Sequence, residues 1–313
     1  MPDALTVIGE ALVDVVATVD GCVEYPGGSP MNVAIGLARL DHPVQLVTRI
    51  GSDARGAALQ EHIERAGVTL YPGSLHNEAT STATALLDHA GAASYDFAIN
   101  WSLDFVDHLP ATPALHLGSV AAFLEPGATD ARRLLSEAAP GTLVTFDPNI
   151  RPSLLGSHPD AVATFETLAA LSTVLKLSDE DARWLYPALT VDEVLDHLLG
   201  LGPVLVIATL GGDGAVLSTT HERVACPGIT VDVADTIGAG DSFMSGVIHR
   251  LARLLETVTP PAALRDGSVF TRAELLRTGS FAVRCAGLTV SRPGANPPTL
   301  TEVNATQVGS DVA

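Results

Sequence analysis

Seven residues, Asp235-Thr236-Ile237-Gly238-Ala239-Gly240-Asp241, set a glycine-rich turn and a carboxylate directly before an apolar helical pattern. Gly238-Ala239-Gly240 permits a tight turn and leaves several N–H groups without intrahelical partners, aimed forward from the helix N-terminus. Such an end carries partial positive charge and suits an anion such as phosphate. Asp241 would repel that anion unless it had work to do there. The work that fits is to accept the proton of a hydroxyl attacking a phosphoryl group. Phe243, Val247, Leu251 and Leu254 recur at helical spacing, so a helix is expected over 242–255. The plainer reading of the same residues is a glycine turn with an acid that the helix dipole favours.

A second turn opens a helix at Gly27-Gly28-Ser29-Pro30-Met31-Asn32. Ser29 suits an N-cap and Pro30 the first helical position, and the glycines leave bare backbone beside a ligand. Asn32 offers both a donor and an acceptor, as a sugar hydroxyl requires. Asp14, just after the first strand, adds a carboxylate. Simple capping for Asn32 and a turn for Asp14 are the bland alternatives. In FDPNIR (146–151), Asp147, Asn149 and Arg151 alternate beyond an apolar strand, at the edge where ligands of such sheets bind. Arg151 either meets a ligand anion or pairs with Asp147.

Taken together and in this order, the Asp235–Asp241 segment and GGSPMNVAIGLARL at 27–40 resemble the paired signatures of the ribokinase/PfkB family of sugar kinases. The similarity runs from VIGEALVD near the start to SRPGANPP near the end. It implies an α/β, ribokinase-like fold spanning 1–313 as one domain, a mostly parallel sheet flanked by helices on both faces, with a small β-sheet lid. It implies ATP and Mg2+ as cofactors and a small sugar as acceptor, with Asp241 as the base and Gly238, Ala239 and Gly240 holding the transferred phosphoryl. The positions matching the family's sugar site are Asp14, Gly27, Gly28, Asn32 and Arg151.

Thr209-Leu210-Gly211-Gly212-Asp213-Gly214 resembles the family's T-x-G-x-x-G turn at the nucleotide, which implicates Thr209, Gly211 and Gly214 in ATP binding, with Lys176 and Ser178. In KLSDED (176–181) the family's Asn-x-x-Glu, which organises magnesium-bound water, is altered. Ser178 replaces the amide, and Asp181 keeps the carboxylate in shortened form. TVSRPGAN (289–296), with the Asp235–Ile237 backbone, resembles a monovalent-cation site. Asp235, Ile237, Thr289, Arg292 and Gly294 are the positions carried over, and K+ is the ion implied.

The elements that must position these groups alternate. Val/Leu/Ile-rich runs (ALTVIGEAL, VQLVTRI, ALHLGSVA, TLVTFD, VLKLS, VLVIATL) are separated by helical patterns at 29–40, 55–66, 129–139, 160–171 and 180–185. Continuous apolar strands in βα alternation predict a mostly parallel sheet. Two hairpins interrupt it, at 15–25 around Asp20-Gly21 and at 82–99 around His89-Ala90-Gly91. Together they are expected to make the lid, and the resemblance implies that its outer face serves a homodimer. The stretch at 256–272 reads as a loop insertion, and the last eight or so residues as frayed.

With 47% hydrophobic and 17% charged residues, the 313-residue chain has the profile of a packed globule. A net charge of −19 argues against nucleic acid and anionic membrane as partners. Three cysteines without metal-ligand spacing, and no signal or membrane-length segment, give the expectation of a cytoplasmic protein. No GxxxxGK[ST], GxGxxG, GxSxG or HExxH occurs. The expected activity is phosphorylation of a neutral sugar, with D-fructose favoured because 94–107 holds no Lys or Arg against a sugar acid. Tyr95, Asn100 and Trp101 are read there as partners for hydroxyls and a ring face. The alternatives are 2-keto-3-deoxygluconate, ribose or nucleoside kinases and, in another class, a non-catalytic sugar or nucleotide sensor.

Overall fold

The computed structural model describes residues 4–18, 21–87, 93–257 and 267–306. In chain order, β1 (Leu5–Ile8), β2 (Leu12–Thr18) and β3 (Gly21–Gly27) lead into α1 (Ser29–Arg39). Then come β4 (Val44–Val47), β5 (Ile50–Gly51), α2 (Ala54–Arg65), β6 (Val68–Leu70), β7 (Leu75–His76), β8 (Thr82–Leu87) and β9 (Ala93–Ala98). The middle of the chain forms β10 (Ala114–Gly118), α3 (Gly127–Ser136), β11 (Leu143–Asp147), α4 (His158–Leu171), β12 (Val174–Ser178) and α5 (Asp179–Leu185). The remainder forms α6 (Val191–Leu199), β13 (Leu205–Thr209), β14 (Ala215–Ser218), β15 (Arg223–Cys226), α7 (Ala239–Leu255), α8 (Arg272–Val290) and α9 (Leu300–Ala305).

Nine strands make the main sheet in the order β15-β14-β13-β12-β11-β10-β1-β4-β6. From β6 to β13 every pairing is parallel, and β14 and β15 add an antiparallel edge. The central strands are buried on both faces, which is why they read as unbroken apolar runs rather than alternating ones. Alternate side chains feed two cores. Leu5, Val7, Leu143, Val174 and Ile207 face α1, α2, α7 and α8, while Ile8, Leu115, Phe146, Leu175 and Val206 face α3 to α6. Helix starts are fixed locally: Asp53 Oδ1 accepts from Gly56 N–H at 2.8 Å, and Thr190 with Glu193 forms a capping box on α6.

The two hairpins join into one four-stranded sheet, β3-β2-β8-β9. Its seam is the parallel pairing of β2 with β8, Val13 opposite Thr82. The strands begin earlier than the sequence pattern marks, at Leu12, because the apolar run from Leu5 breaks at Gly9 and resumes in the second sheet. The residues at the His89-Ala90-Gly91 turn, Asp20 of the first turn, 258–266 of the expected insertion, and 307–313 lie outside the described residues.

Helix α1 lies against α7, and α7 against α8, through glycines. A Cβ on Gly36 would stand 2.4 Å from Ser245 Oγ, and one on Gly246 2.9 Å from Ala282 Cα. Overpacking such a contact costs about 1–3 kcal/mol. We therefore expect Gly36→Val to lower the unfolding free energy by an amount in that range, seen as a fall in the denaturant midpoint, and an unchanged midpoint would show that the helices are not so closely apposed.

Candidate active site

Gly238 caps α7 in the left-handed region, at φ 76°, and a Cβ there would meet Ala295 Cβ at 2.8 Å. Asp241 follows in the first turn and is buried. Both its oxygens are held from α1: Ser29 Oγ donates to Oδ1 at 2.6 Å, and Asn32 Nδ2 donates to Oδ2 at 2.8 Å. Ser29 is therefore not the cap of α1. The cap is Gly28, which makes no side-chain hydrogen bond, and Ser29 spends its hydroxyl on a carboxylate, a stronger acceptor than a backbone group. Gly28 sits at φ 112°, with its would-be Cβ 2.5 Å from the Glu10 carbonyl, so a side chain has no room there.

Beside Asp241 opens a cavity of about 340 Å³. Of the expected residues, Asp14, Gly28, Asn32, Arg151, Lys176, Ile237, Gly238, Ala239, Gly240 and Asp241 line it together. Gly27 stands behind them, its would-be Cβ 2.0 Å from Asp14 Oδ2. Asp14 lies within β2 rather than in a turn, and burial raises its pKa against the opposing pull of Arg151. The alternative that Arg151 pairs with Asp147 does not hold. Arg151 is exposed, and its Nη1 donates to the Ile150 carbonyl at 3.1 Å. The four-stranded sheet contributes Leu12, Asp14, Ala83 and Phe97 to the cavity, with Ile99 just past the end of β9. Trp101 and Asn100 do not reach it. Trp101 is a core residue whose Nε1 donates to the Ala121 carbonyl at 3.0 Å, and Asn100 bonds Glu78 and Ser81. The side chain of Tyr95 lies outside the described residues.

Asp147 belongs to a buried polar row on the α7 face of the sheet. Lys176 Nζ donates to Asp147 Oδ2 at 2.8 Å, and both side chains are nearly inaccessible. Burial pushes Asp147 up to about 6 although Lys176 opposes it. Burial would lower Lys176, but Asp147, joined by Asp181 and Asp241, outweighs it and holds the ammonium above its ordinary pKa. A Cβ on Gly240 would lie 3.1 Å from Lys176 Nζ, so the turn rests directly over this cation. In a chain of net charge −19, that places one fixed positive charge beneath the glycine turn. Burial and Lys176 together push neighbouring His116 down to about 3, leaving it neutral, with Nδ1 2.9 Å from Thr145 Oγ1.

Asp181 and Ser178 are occupied with each other. Ser178 Oγ accepts from Asp181 N–H at 3.0 Å and Asp181 Oδ2 accepts from Ser178 N–H at 3.0 Å, a capping box on α5. Asp181 Oδ1 also accepts from Ile150 N–H at 2.8 Å. The solvated acidic helix start is thus excluded, for Asp181 is buried, but neither residue lines the cavity. Thr209, Gly211 and Gly214 lie at the carboxyl end of β13, where Ser178 pairs with Thr209 along the same sheet edge as Asp147. The segments 235–237 and 289–294 do meet. Asp235 Oδ1 accepts from Ile237 N–H at 3.0 Å and Oδ2 from Gly294 N–H at 2.9 Å, while Thr289 O accepts from Arg292 N–H at 3.0 Å. No group of three or more His, Cys, Asp or Glu among the described residues is placed to hold a metal by itself. The fit for magnesium is therefore to an ion held largely by phosphate and water. The hard donors near Lys176 are Asp147, whose Oδ1 is buried without a partner among the described residues, and Asp181.

One acid in this cavity has no sequence signal beyond its place after β1. Glu10 is buried and its Oε2 accepts from Ala121 N–H at 3.2 Å. Burial raises its pKa to about 7, with Ser119 opposing and Asp241 adding a little.

A cavity at the carboxyl edge of a parallel sheet, a carboxylate at a glycine-rich helix start and a covering sheet are the arrangement expected of a ribokinase-like sugar kinase. The family model for pfkB family carbohydrate kinases matches residues 3–302, and the chain belongs to that family. It is 32% identical to a fructokinase of Rhizobium leguminosarum bv. trifolii over 78% of each chain. It is 29% identical to a fructokinase of Escherichia coli over 92% of this chain and 94% of that one. Among solved structures, fructokinase from Xylella fastidiosa with bound ATP superposes with a TM-score of 0.82 at 26% identity, covering 97% of this chain and 98% of that one. Fructokinase from Vibrio cholerae O395 with fructose, ADP and calcium gives 0.79 at 25% identity and the same coverage. No helix among the described residues is long and apolar enough to cross a membrane.

The raised Glu10 makes stability depend on pH with a definite sign. Its folded pKa lies above its ordinary 4.5, so folding favours the protonated form and stability is lost as pH rises from about 4.5 through about 7. Glu10→Gln removes that loss. Its melting temperature, relative to the parent, should climb across this window and level off above it. A flat difference between pH 5 and pH 8 would mean that Glu10 is ionised at no cost.

Proposed function

We propose that this chain transfers the γ-phosphoryl group of ATP to a hydroxyl of D-fructose. The single observation that carries the reaction is Asp241, buried at the start of α7 with both oxygens held by Ser29 and Asn32 and its flank open to the cavity. A hydroxyl in that cavity attacks the γ-phosphorus as its proton passes to the Asp241 carboxylate. The bond to the β-phosphate oxygen breaks and ADP leaves. The N–H groups of Gly238 and Gly240, joined by that of Ala239 once it leaves the Thr236 carbonyl 3.3 Å away, hold the charge on the transferred group, with Lys176 beneath them. Magnesium bound with the nucleotide would neutralise phosphate charge, and Asp147 and Asp181, the carboxylates beside Lys176, would support it. Thr209, Gly211, Gly214 and Ser178 border the nucleotide along the sheet edge, and the 235–237 and 289–294 segments form the K+ site.

The choice of a neutral sugar rests on charge. Glu10, Asp14 and Asp241 all line the cavity, and β8 and β9 add no cation to it, so a sugar carboxylate would face three acids. Fructose itself is supported by the relatives, fructokinases over most of their length. Arg151 is the observation favouring a sugar acid, since its guanidinium borders the cavity with no carboxylate in ion-pair contact among the described residues. The lid and α1 exclude water that would otherwise hydrolyse ATP. Val23 and Tyr25, each 53% exposed on the edge strand β3, are the residues through which a lid-to-lid homodimer would form. The cytoplasm, where ATP is supplied and free cysteines persist, is the compartment this reading requires.

Asp241→Asn should lower kcat at least ~10²-fold with KM changed little, as loss of a general base does; near-normal turnover would remove Asp241 from the mechanism. In a coupled assay of sugars, fructose should be turned over well ahead of 2-keto-3-deoxygluconate, ribose and adenosine. A preference for the acid would assign Arg151 to its carboxylate and overturn the argument from charge.

A further inference from the structure

With 17 Lys and Arg against 36 Asp and Glu, cations are scarce in this chain, yet four arginines meet at one cavity remote from Asp241. It measures about 850 Å³ and lies at the far ends of the two helices whose first turns build the active site. The residues just after α1, the last turns of α7 and the middle of α8 enclose it. Arg250, Arg253, Arg277 and Arg284 line it, and Asp41 is the one carboxylate in its wall among the described residues.

Their pairing is incomplete. Arg250 and Arg277 share Glu274, at 3.0 and 2.8 Å. Arg253 has Glu256 at 3.0 Å and sits in the last turn of α7, where the helix dipole alone would favour a cation. Arg284 has neither excuse. It is mid-helix, its guanidinium stands 5.6 Å over the Phe281 ring, and it has no carboxylate partner among the described residues. The Nε atoms of Arg284 and Arg250 are buried without hydrogen-bond partners among the described residues.

The adjoining histidines supply rigidity rather than charge. His42 Nε2 lies 2.9 Å from His249 Nδ1, and His249 stacks on Phe281 with ring centres 4.9 Å apart. Burial, reinforced by neighbouring arginines, pushes both below the ordinary histidine range, His249 to about 4. They stay neutral at pH 7 and fasten the end of α1 to α7.

We propose that this cavity is a binding site for a small phosphate-bearing anion, gripped by Arg284 with Arg250 and Arg277 beside it. A guanidinium presents two parallel N–H groups that match phosphate oxygens, and charge-assisted bonds of this kind are the strong ones. Phe281, Leu276 and Leu300 give the cavity an apolar wall for the rest of such a ligand. Its volume lies in the ~300–1,000 Å³ range typical of small-molecule sites. A nucleic acid is disfavoured, because the strongly acidic remainder of the surface would repel a long polyanion.

Isothermal titration of the full chain with inorganic pyrophosphate tests the site. Binding should weaken about tenfold or more in Arg284→Ala, a loss of about 1.4 kcal/mol or more. Arg284→Lys should retain part of it, and Asp241→Asn should leave it unchanged. If Arg284→Ala does not fold, as judged by circular dichroism, Arg277→Ala carries the same expectation, since Arg277 is 59% exposed. No binding up to millimolar pyrophosphate, or undiminished binding in the arginine variant, would overturn the proposal, the latter assigning the anion to the Gly238–Asp241 turn instead.

Discussion

The hold of α1 on the Asp241 carboxylate is the constraint to which much of the rest of the fold answers. Ser29 and Asp241 lie 212 residues apart, so their 2.6 Å hydrogen bond requires two helix starts to meet within a side chain's reach. That meeting requires α1 and α7 to run side by side, and the glycine at 36 lets them do so. It also requires Gly28 and Gly238 in backbone conformations that other residues resist. In the proposed reaction, a carboxylate gripped on both oxygens cannot rotate away from an incoming hydroxyl, and such preorganisation is where active sites gain most.

The second organising problem is electrostatic. An acidic protein must present positive potential to a polyphosphate, and in the reaction proposed above that falls to backbone and one buried lysine rather than to a basic surface. Lys176 is kept charged by Asp147, and removing either partner would leave an unpaired buried charge costing about 3–5 kcal/mol. Glycine at 240 brings the turn down onto the ammonium. The cation is thereby unavailable to solvent anions except through the cavity itself.

Much of this was legible in the sequence because it is local. Strands such as VLKLS and LVTFD announce themselves as buried by lacking polar alternation, and the glycine turns mark the helix starts within a residue or two. The four-stranded sheet was foreseeable as two hairpins, but its parallel seam between β2 and β8 was not, since nothing in either hairpin encodes the other's register. Ser29 looked like a cap because capping is the local use of a serine; its true partner is distant. Trp101 looked like a sugar platform, yet it fills the core under Gly127. Glu10 and the arginine-lined cavity left no motif at all, because each depends on residues that only the tertiary fold gathers.

The covering sheet is not an appendage hinged from the domain by a linker. β3 ends at Gly27, α1 begins at Ser29, and only Gly28 separates them. Asp14 of the same sheet sits against Gly27. Any tilt of the cover is thus delivered, without slack, to the turn that carries Ser29 and Asn32. Roofing the cavity and aiming the carboxylate are two ends of one lever, and the chain has no means of moving the first without disturbing the second.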